Sequence, residues 1–132
     1  MASLAKYREH SSLGGDKEII EIVYDFAVDA GAVAALDVLK LKQASIITSC
    51  YFVVQTTCTS GGSATVSLGK SGDAAGLIAA TAVASLTAGA VIYGSAPDAS
   101  NTMAADAIIQ MDTAVAALTA GKIKIVIECL KQ

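Results

Sequence analysis

Residues 44–59, ASIITSCYFVVQTTCT, form the strongest strand signal in the chain, because they are rich in Ile, Val, Thr, Tyr and Phe. Alternation places Ile46, Cys50, Phe52 and Val54 on one face of this strand. A turn sequence, SGGS, follows at 60–63, and the next run at 64–68 alternates again. Two alternating runs around a Gly-Gly centre predict a β-hairpin.

Further strands are predicted on both sides of this hairpin. Residues 18–28 have period two, with the apolar side chains on one face and Glu21, Val23 and Asp25 on the other. In the last run, 122–130, Lys122, Lys124 and Glu128 alternate with inward positions. The inward residues of the first run are Ile20, Ile22, Tyr24, Phe26 and Val28, and those of the last run are Ile123, Ile125, Ile127 and Cys129. Three further strands are predicted at 34–42, 90–93 and 107–113.

One short helix is expected between the strands. Asp73 is a suitable N-cap for a helix over 74–85, and Gly89 is a suitable stop. No alternation of strands with full-length helices is present, which argues against a parallel sheet. The sequence therefore predicts a mainly β protein, an antiparallel β-sandwich or jelly roll of six to eight strands with one short helix.

The first sixteen residues differ in composition from the rest of the chain. Residues 1–16 are polar, have no sustained periodicity and end in SSLGGD, which predicts a flexible N-terminal arm. Lys6, Arg8 and His10 make this arm mildly basic, and Glu9 offsets them. The domain organisation is thus an arm at 1–16 followed by a β-sandwich domain at 17–132.

Composition narrows the function classes. The 132 residues are 54% hydrophobic and only 16% charged, with a net charge of -3, which excludes a disordered chain and a strongly basic nucleic-acid module. A chain with so few charged residues is either a membrane protein or a protein whose surface is largely covered by other subunits. Residues 74–97 are uncharged and long enough to span a bilayer, but they are mostly Ala, Gly, Ser and Thr. We therefore expect no membrane span and no nucleic-acid partner. Interfaces within a homo-oligomer are expected at the alanine-rich stretches 74–90 and 103–117.

No residue set in the chain predicts catalysis. Gly69, Lys70 and Ser71 match the end of a phosphate-binding loop, but Ala64 replaces its first glycine and the intervening residues alternate as a strand, so a turn is predicted. The chain has three cysteines without a C-x-x-C pair, a single histidine, no calcium-loop spacing of carboxylates and no G-x-S-x-G elbow. The sequence predicts no enzyme activity, no catalytic, cofactor-binding or metal-ligating residues and no cofactor; Cys50, Cys58 and Cys129 are expected to be buried thiols.

Three segments carry a resemblance to a known group of proteins. Residues 65–73, TVSLGKSGD, 77–88, LIAATAVASLTA, and 118–128, LTAGKIKIVIE, resemble a pattern that recurs in small tailed-bacteriophage virion proteins. The resemblance implies a head decoration (cement) protein or a fibre-tip-like jelly roll, commonly trimeric and bound to the outside of a capsid shell. As a decoration protein it would bind the major capsid protein on the capsid exterior of a virion assembled in the host cytoplasm. The resemblance further implies that residues 1–16, or loops at one end of the sandwich, contact the shell.

A second function class stays open from the sequence. A tail-fibre or spike tip domain would bind host-surface glycan through exposed loops, although the chain has no Trp for stacking on sugars. An enzyme is the weakest alternative, since it requires a clustered polar set. Binding to capsid shells, glycan binding and a polar cleft are the observations that separate the three.

Overall fold

Two antiparallel sheets pack face to face in this computed structural model, which describes residues 17–94 and 97–131. One sheet has the order β1-β9-β3-β6, with β7 also paired to β3, and the other has the order β2-β8-β4-β5. The strands are β1 (Lys17–Asp25), β2 (Ala34–Leu41), β3 (Ser45–Ser60), β4 (Thr65–Lys70), β5 (Asp73–Ala82), β6 (Val91–Tyr93), β7 (Thr102–Met103), β8 (Ala107–Ala114) and β9 (Leu118–Lys131). The prediction of a mainly β antiparallel sandwich is confirmed. The predicted arm at 1–16 lies outside the described residues.

The core is built around the long pairing of β3 with β9. Phe52 lies opposite Ile125 and Val54 lies opposite Ile123, and all four side chains are almost fully buried. The four-stranded sheet covers them with buried side chains of its own, among them Leu68 on β4. The inward positions predicted for the last strand are confirmed.

A bulge in β3 corrects the predicted inward set of that strand. The register with β9 shifts between Ile47 and Ser49, so Ile47 and Cys50 both face the core. Ile46, which strict alternation placed inward, is only half-buried, whereas Ile47 is fully buried. The extra residue of a β-bulge reverses the side-chain parity on one side of it.

The turn at 60–63 does not close a hairpin, so that prediction was wrong. β3 belongs to the five-stranded sheet and β4 to the four-stranded sheet, and the turn carries the chain from one to the other. Both edges of β3 are already used: β9 occupies one, and on the other Cys58 N donates to the carbonyl O of Leu86 at 2.9 Å. Cys58 and Val66 therefore belong to the one core from opposite sheets.

The helix predicted over 74–85 is also wrong, because β5 occupies most of this segment. Lys70 pairs with Asp73 across a two-residue turn in which Gly72 has φ 90°. This left-handed glycine reverses the chain, so Asp73 begins an antiparallel strand instead of capping a helix. Leu77 and Ile78 are then buried side by side at a register shift, and only a single 3-10 turn, Val83–Ser85, follows the strand.

The short helix of the described residues is elsewhere, at α1 (Phe26–Asp29). The carboxylate of Asp25 accepts a hydrogen bond from Ala27 N at 3.0 Å, and Asp25 N donates to Asp29 Oδ2 at 3.0 Å. These caps end β1 at Asp25, three residues before the end of the predicted alternation. Val28, predicted to face inward, is therefore 80% exposed.

The uncharged stretch 74–97 contains β5, a 3-10 turn and β6 over its described residues. No helix in the described ranges 17–94 and 97–131 is both long and apolar enough to cross a bilayer.

Candidate interaction surface

The glycine of the phosphate-loop-like sequence serves strand packing. Gly69 lies within β4, where an added Cβ would overlap the backbone of Asp73 and Ala74 on β5. Lys70, at the end of the strand, donates from Nζ to the carbonyl O of Thr102 at 3.2 Å. Ser71 and Gly72 form the turn. The predicted turn is therefore shorter than the sequence indicated: Gly69 and Lys70 complete strand β4, and only residues 71–72 turn.

The three thiols lie in the core, as predicted. Cys50, Cys58 and Cys129 are free and buried, and Cys50 Sγ contacts the carbonyl O of Leu77 at 3.7 Å. Burial raises the pKa of Cys50 to about 11 and also raises the pKa values of Cys58 and Cys129. These thiols are neutral at pH 7 and serve as small apolar side chains. Within the described part of the chain, no three His, Cys, Asp or Glu side chains are grouped as metal ligands would be.

The outer face of the five-stranded sheet is the surface with the strongest apolar character. Its residues follow from the register: Tyr51 lies opposite Tyr93 on β6 and Val126 on β9, while Val53 lies opposite Val91 and Lys124. Phe52 and Ile125, the intervening positions, point into the core. We call the following set the outer apolar face: Ile19 and Val23 on β1, Val126 on β9, Tyr51 and Val53 on β3, and Val91 and Tyr93 on β6.

The side chains of this face are exposed at its edges and sheltered at its centre. Tyr93 is 71% exposed and Ile19 is 62% exposed, whereas Val126 between them is only 6% exposed. The rings of Tyr51 and Tyr93 contact each other with centroids 5.4 Å apart and planes tilted by 49°. The other described large apolar side chains that are exposed, Val28, Val33 and Val115, lie outside the strands. The apolar exposure is therefore concentrated on one sheet.

Two lysine–glutamate ion pairs lie on the outer apolar face. Lys124 Nζ lies 3.4 Å from Glu21 Oε1, and Lys17 Nζ lies 3.5 Å from Glu128 Oε1. Thr48 Oγ1 also donates to Glu128 Oε1 at 3.1 Å. Because Glu21 and Glu128 each have a lysine partner, a second protein surface that covers them leaves neither carboxylate without a cation.

The opposite side of the sandwich has a different chemistry. On the four-stranded sheet Ile109 and Met111 point inward, so Gln110 and Asp112 point outward. Gln110 Nε2 donates to Asp37 Oδ1 on the neighbouring strand at 2.8 Å. Asp37, Gln110 and Asp112 make this part of the outer face polar. The exposed large apolar side chains of the strands therefore lie on the five-stranded sheet.

Alanines form a second, weaker candidate surface. β5 is an edge strand of the four-stranded sheet, and it exposes Ala74, Ala75, Ala79, Ala80 and Ala82. Small side chains allow close approach between backbones, and an edge strand that carries no charge after its first residue, Asp73, is open to pairing with another chain. The sequence prediction that alanine-rich stretches form subunit interfaces corresponds to this edge and stays a prediction.

Sequence reasoning missed the outer apolar face, although part of its signal is readable. Residues 50–54, CYFVV, are apolar at every position, and so are residues 125–127, IVI. Such continuous runs are typical of strands that are buried on both faces. The place of Tyr93 on this face cannot be predicted from the local sequence. Tyr93 lies beside Tyr51 only because β6 pairs with β3, which is more than forty residues earlier in the chain.

Comparison with known proteins identifies the fold. No family model matches the chain, and no curated protein is significantly similar to it. Among solved structures, a chain of the capsid asymmetric unit of cyanophage Pam1 has a TM-score of 0.66 at 15% identity, with 90% of this chain and 87% of that chain covered. A chain of the acid-stable capsid of Helicobacter pylori bacteriophage KHP30 has a TM-score of 0.66 at 9% identity, covering 89% of each chain. A chain of the capsid of Ralstonia phage GP4 has a TM-score of 0.62 at 16% identity, covering 90% of this chain and 86% of that one. This chain therefore has the fold of these phage capsid chains over nearly the whole of its described length.

Proposed function

We propose that this chain is a structural virion protein that binds and stabilises the outside of a phage capsid as an oligomeric decoration (cement) protein. The observation that carries the proposal is the match to chains of three phage capsids, each covered over 86% to 89% of its own length. The likeness extends over whole chains of similar size to this one. It is therefore not a likeness to one domain inside a much larger subunit.

The surface chemistry supports an oligomer. A monomer would expose Ile19 on β1 and Val91 and Tyr93 on β6, all on one face of one sheet, and apolar exposure collected on one face is a usual sign of a protein contact. Low overall charge points the same way, because few charges are available to keep an isolated sandwich soluble. We propose that copies of the chain meet through the outer apolar face, with a trimer as the expected oligomer.

The shell contacts in this proposal lie away from the subunit contacts. When the sheet face is used between subunits, the ends of the sandwich and residues 1–16 are left to reach the major capsid protein. A small rigid sandwich that holds adjacent shell subunits together stabilises the shell by adding contacts that unfolding or dissociation must break.

The test is binding of the purified chain to empty shells of the major capsid protein. We expect a homo-oligomer by light scattering, and saturable co-sedimentation with shells that raises the temperature at which the shells disassemble. A chain that is monomeric at micromolar concentration and does not sediment with shells would overturn the proposal. Saturable binding to host polysaccharide on a glycan array, without shell binding, would instead favour a tail-fibre or spike tip domain.

A further inference from the structure

Three connections between strands meet at one end of the sandwich. They are residues 26–33, 61–64 and 115–117. Leu118 N donates to the carbonyl O of Gly31 at 2.8 Å, and Ser60 Oγ donates to the carbonyl O of Ala117 at 2.8 Å. These hydrogen bonds tie both of the other connections to the ends of the 115–117 turn, so the three form one surface.

This surface is apolar and nearly free of charge, and we call it the valine end. Among the described residues, every exposed large apolar side chain outside the strands belongs to it: Val28, Val33 and Val115. Asp29 is the one charged residue in the three connections. The segments at the opposite end of the sandwich, in contrast, carry charges at Lys42, Asp98 and Asp106. Because connections run over the surface, where polar side chains are usual, the valine end is the exception.

The backbone at this end is strained where a valine is exposed. Val115 has φ 73°, a left-handed conformation that a β-branched residue rarely adopts. Its side chain is 73% exposed, so packing within the chain does not require a valine there. At the opposite end the comparable position, with φ 66°, is Asp106, a residue type that tolerates this conformation. Strain of this kind is typical of binding loops.

The side chains of the valine end fit a protein surface better than a lipid or a sugar. Segments that enter a membrane interface carry Trp or Tyr together with Lys or Arg, and the three connections contain none of these four residue types. Their single aromatic residue, Phe26, is half-buried and packs against the core. Exposed valines with one carboxylate therefore match an uncharged, apolar protein surface.

The size of the valine end favours a partner with repeated sites. A stable contact needs about 800 Å² from each partner, far more than three valine side chains supply. A cyclic oligomer presents the same end of every copy on one side, so several weak contacts can act together on a repeated surface. A capsid shell, built from many copies of one subunit, is such a surface.

We propose that the valine end is the shell-binding surface, at which Val28, Val33 and Val115 of each copy contact an uncharged, apolar region of the major capsid protein. The inference rests on the proposed function and selects one end of the sandwich for the shell contact. Since almost no charge takes part, the contact should depend only weakly on salt.

Co-sedimentation of the full-length oligomer with shells of the major capsid protein tests the proposal. Val33→Lys places a charge in the contact, and Val115→Asn removes an apolar side chain at a φ that asparagine tolerates. We expect each change to raise the Kd for shells at least about fivefold, with the mass of the oligomer unchanged. The urea midpoint of Val115→Asn should equal or exceed that of the wild type, which separates a lost contact from a lost fold.

Asp106→Asn is the matched control, because it makes the same residue at a positive φ on the opposite end. Its Kd for shells should stay within about twofold of the wild-type value. For the wild type, raising NaCl from about 50 to about 500 mM should also change the Kd by less than about twofold.

The outcomes separate this inference from the proposed function. Wild-type binding by both Val33→Lys and Val115→Asn overturns the inference alone, and so does a roughly tenfold loss of wild-type binding at the higher salt concentration. A lower oligomer mass for Val33→Lys also overturns it, because the valine end would then be a contact between copies. A wild type that does not sediment with shells overturns the proposed function and this inference with it.

Discussion

At the scale of single residues, burial determines how this protein responds to alkaline pH. Cys50 is 3% exposed and Tyr24 is 2% exposed, and the Tyr24 hydroxyl donates to the carbonyl O of Ala30 at 2.7 Å. Loss of solvation is the largest cause that raises the pKa of Cys50 from 9.0 to about 11 and that of Tyr24 from 10.0 to about 12. Both groups are therefore held neutral in the folded state at pH values where the unfolded chain ionises.

The sign of the pH dependence follows from proton binding. Between about pH 9 and 12 the folded state holds more protons on these groups than the unfolded state, so the free energy of unfolding falls as pH rises. Below about pH 9 the contribution of both groups is fully present. We expect the urea midpoint to be constant from pH 7 to 8.5 and to fall steadily above pH 9. Cys50→Ala should make the decline between pH 9 and 11 shallower, and an unchanged decline in that variant would show that the Cys50 thiol does not contribute.

At the scale of elements, the close packing of β4 against β5 depends on Gly69. A Cβ on Gly69 would overlap the carbonyl O of Asp73 and the backbone of Ala74, and backbone atoms cannot move aside as a flexible side chain can. Overpacking of this kind costs about 1–3 kcal/mol. We expect Gly69→Ala to lower the free energy of unfolding by that amount in urea titrations. Gly61→Ala is the matched control, because a Cβ there meets no atom within 4 Å, and its midpoint should stay near that of the wild type. Equal midpoints for the two variants would mean that β4 and β5 are not as close as described.

The element scale also shows what the sequence could and could not predict. Alternation identified the buried face of β9 correctly, because inward and outward positions there differ strongly in polarity. It could not distinguish strands paired in one sheet from strands that face each other across the core. Cys58 and Val66 give the same signal in both cases, which is why the hairpin prediction at 60–63 was wrong.

The alanines of β5 were misread for a related reason. Alanine favours a helix locally, but this preference amounts to tenths of a kcal/mol per residue and is overridden by tertiary pairing. Burial of Leu77 and Ile78 against the core, together with the turn at Gly72, outweighs it. For the outer apolar face, the apolar runs CYFVV and IVI indicate that β3 and β9 have apolar side chains on both sides. The β6 part depends on a long-range pairing that no local pattern encodes.

At the scale of the whole molecule, the sandwich is asymmetric, and the asymmetry predicts how copies meet. The five-stranded sheet presents Val53, Val91 and Tyr93 beside two lysine–glutamate pairs, while the four-stranded sheet presents Asp37, Gln110 and Asp112. Burying one valine side chain stabilises a contact by about 1.5–3 kcal/mol. Placing a lysine there removes that gain and adds the cost of desolvating an unpaired charge.

A set of three lysine variants distinguishes the candidate interfaces. Val91→Lys changes the outer apolar face, Ala79→Lys changes the exposed edge of β5, and Val28→Lys changes α1, which lies outside both. We expect Val91→Lys to weaken self-association at least about tenfold, equivalent to about 1.4 kcal/mol, in sedimentation equilibrium. Val28→Lys should associate as the wild type does, because its side chain is already 80% exposed on a helical turn. If Ala79→Lys dissociates the oligomer and Val91→Lys does not, the subunits meet along the alanine edge of β5 and the valines and tyrosines of the five-stranded sheet face another partner.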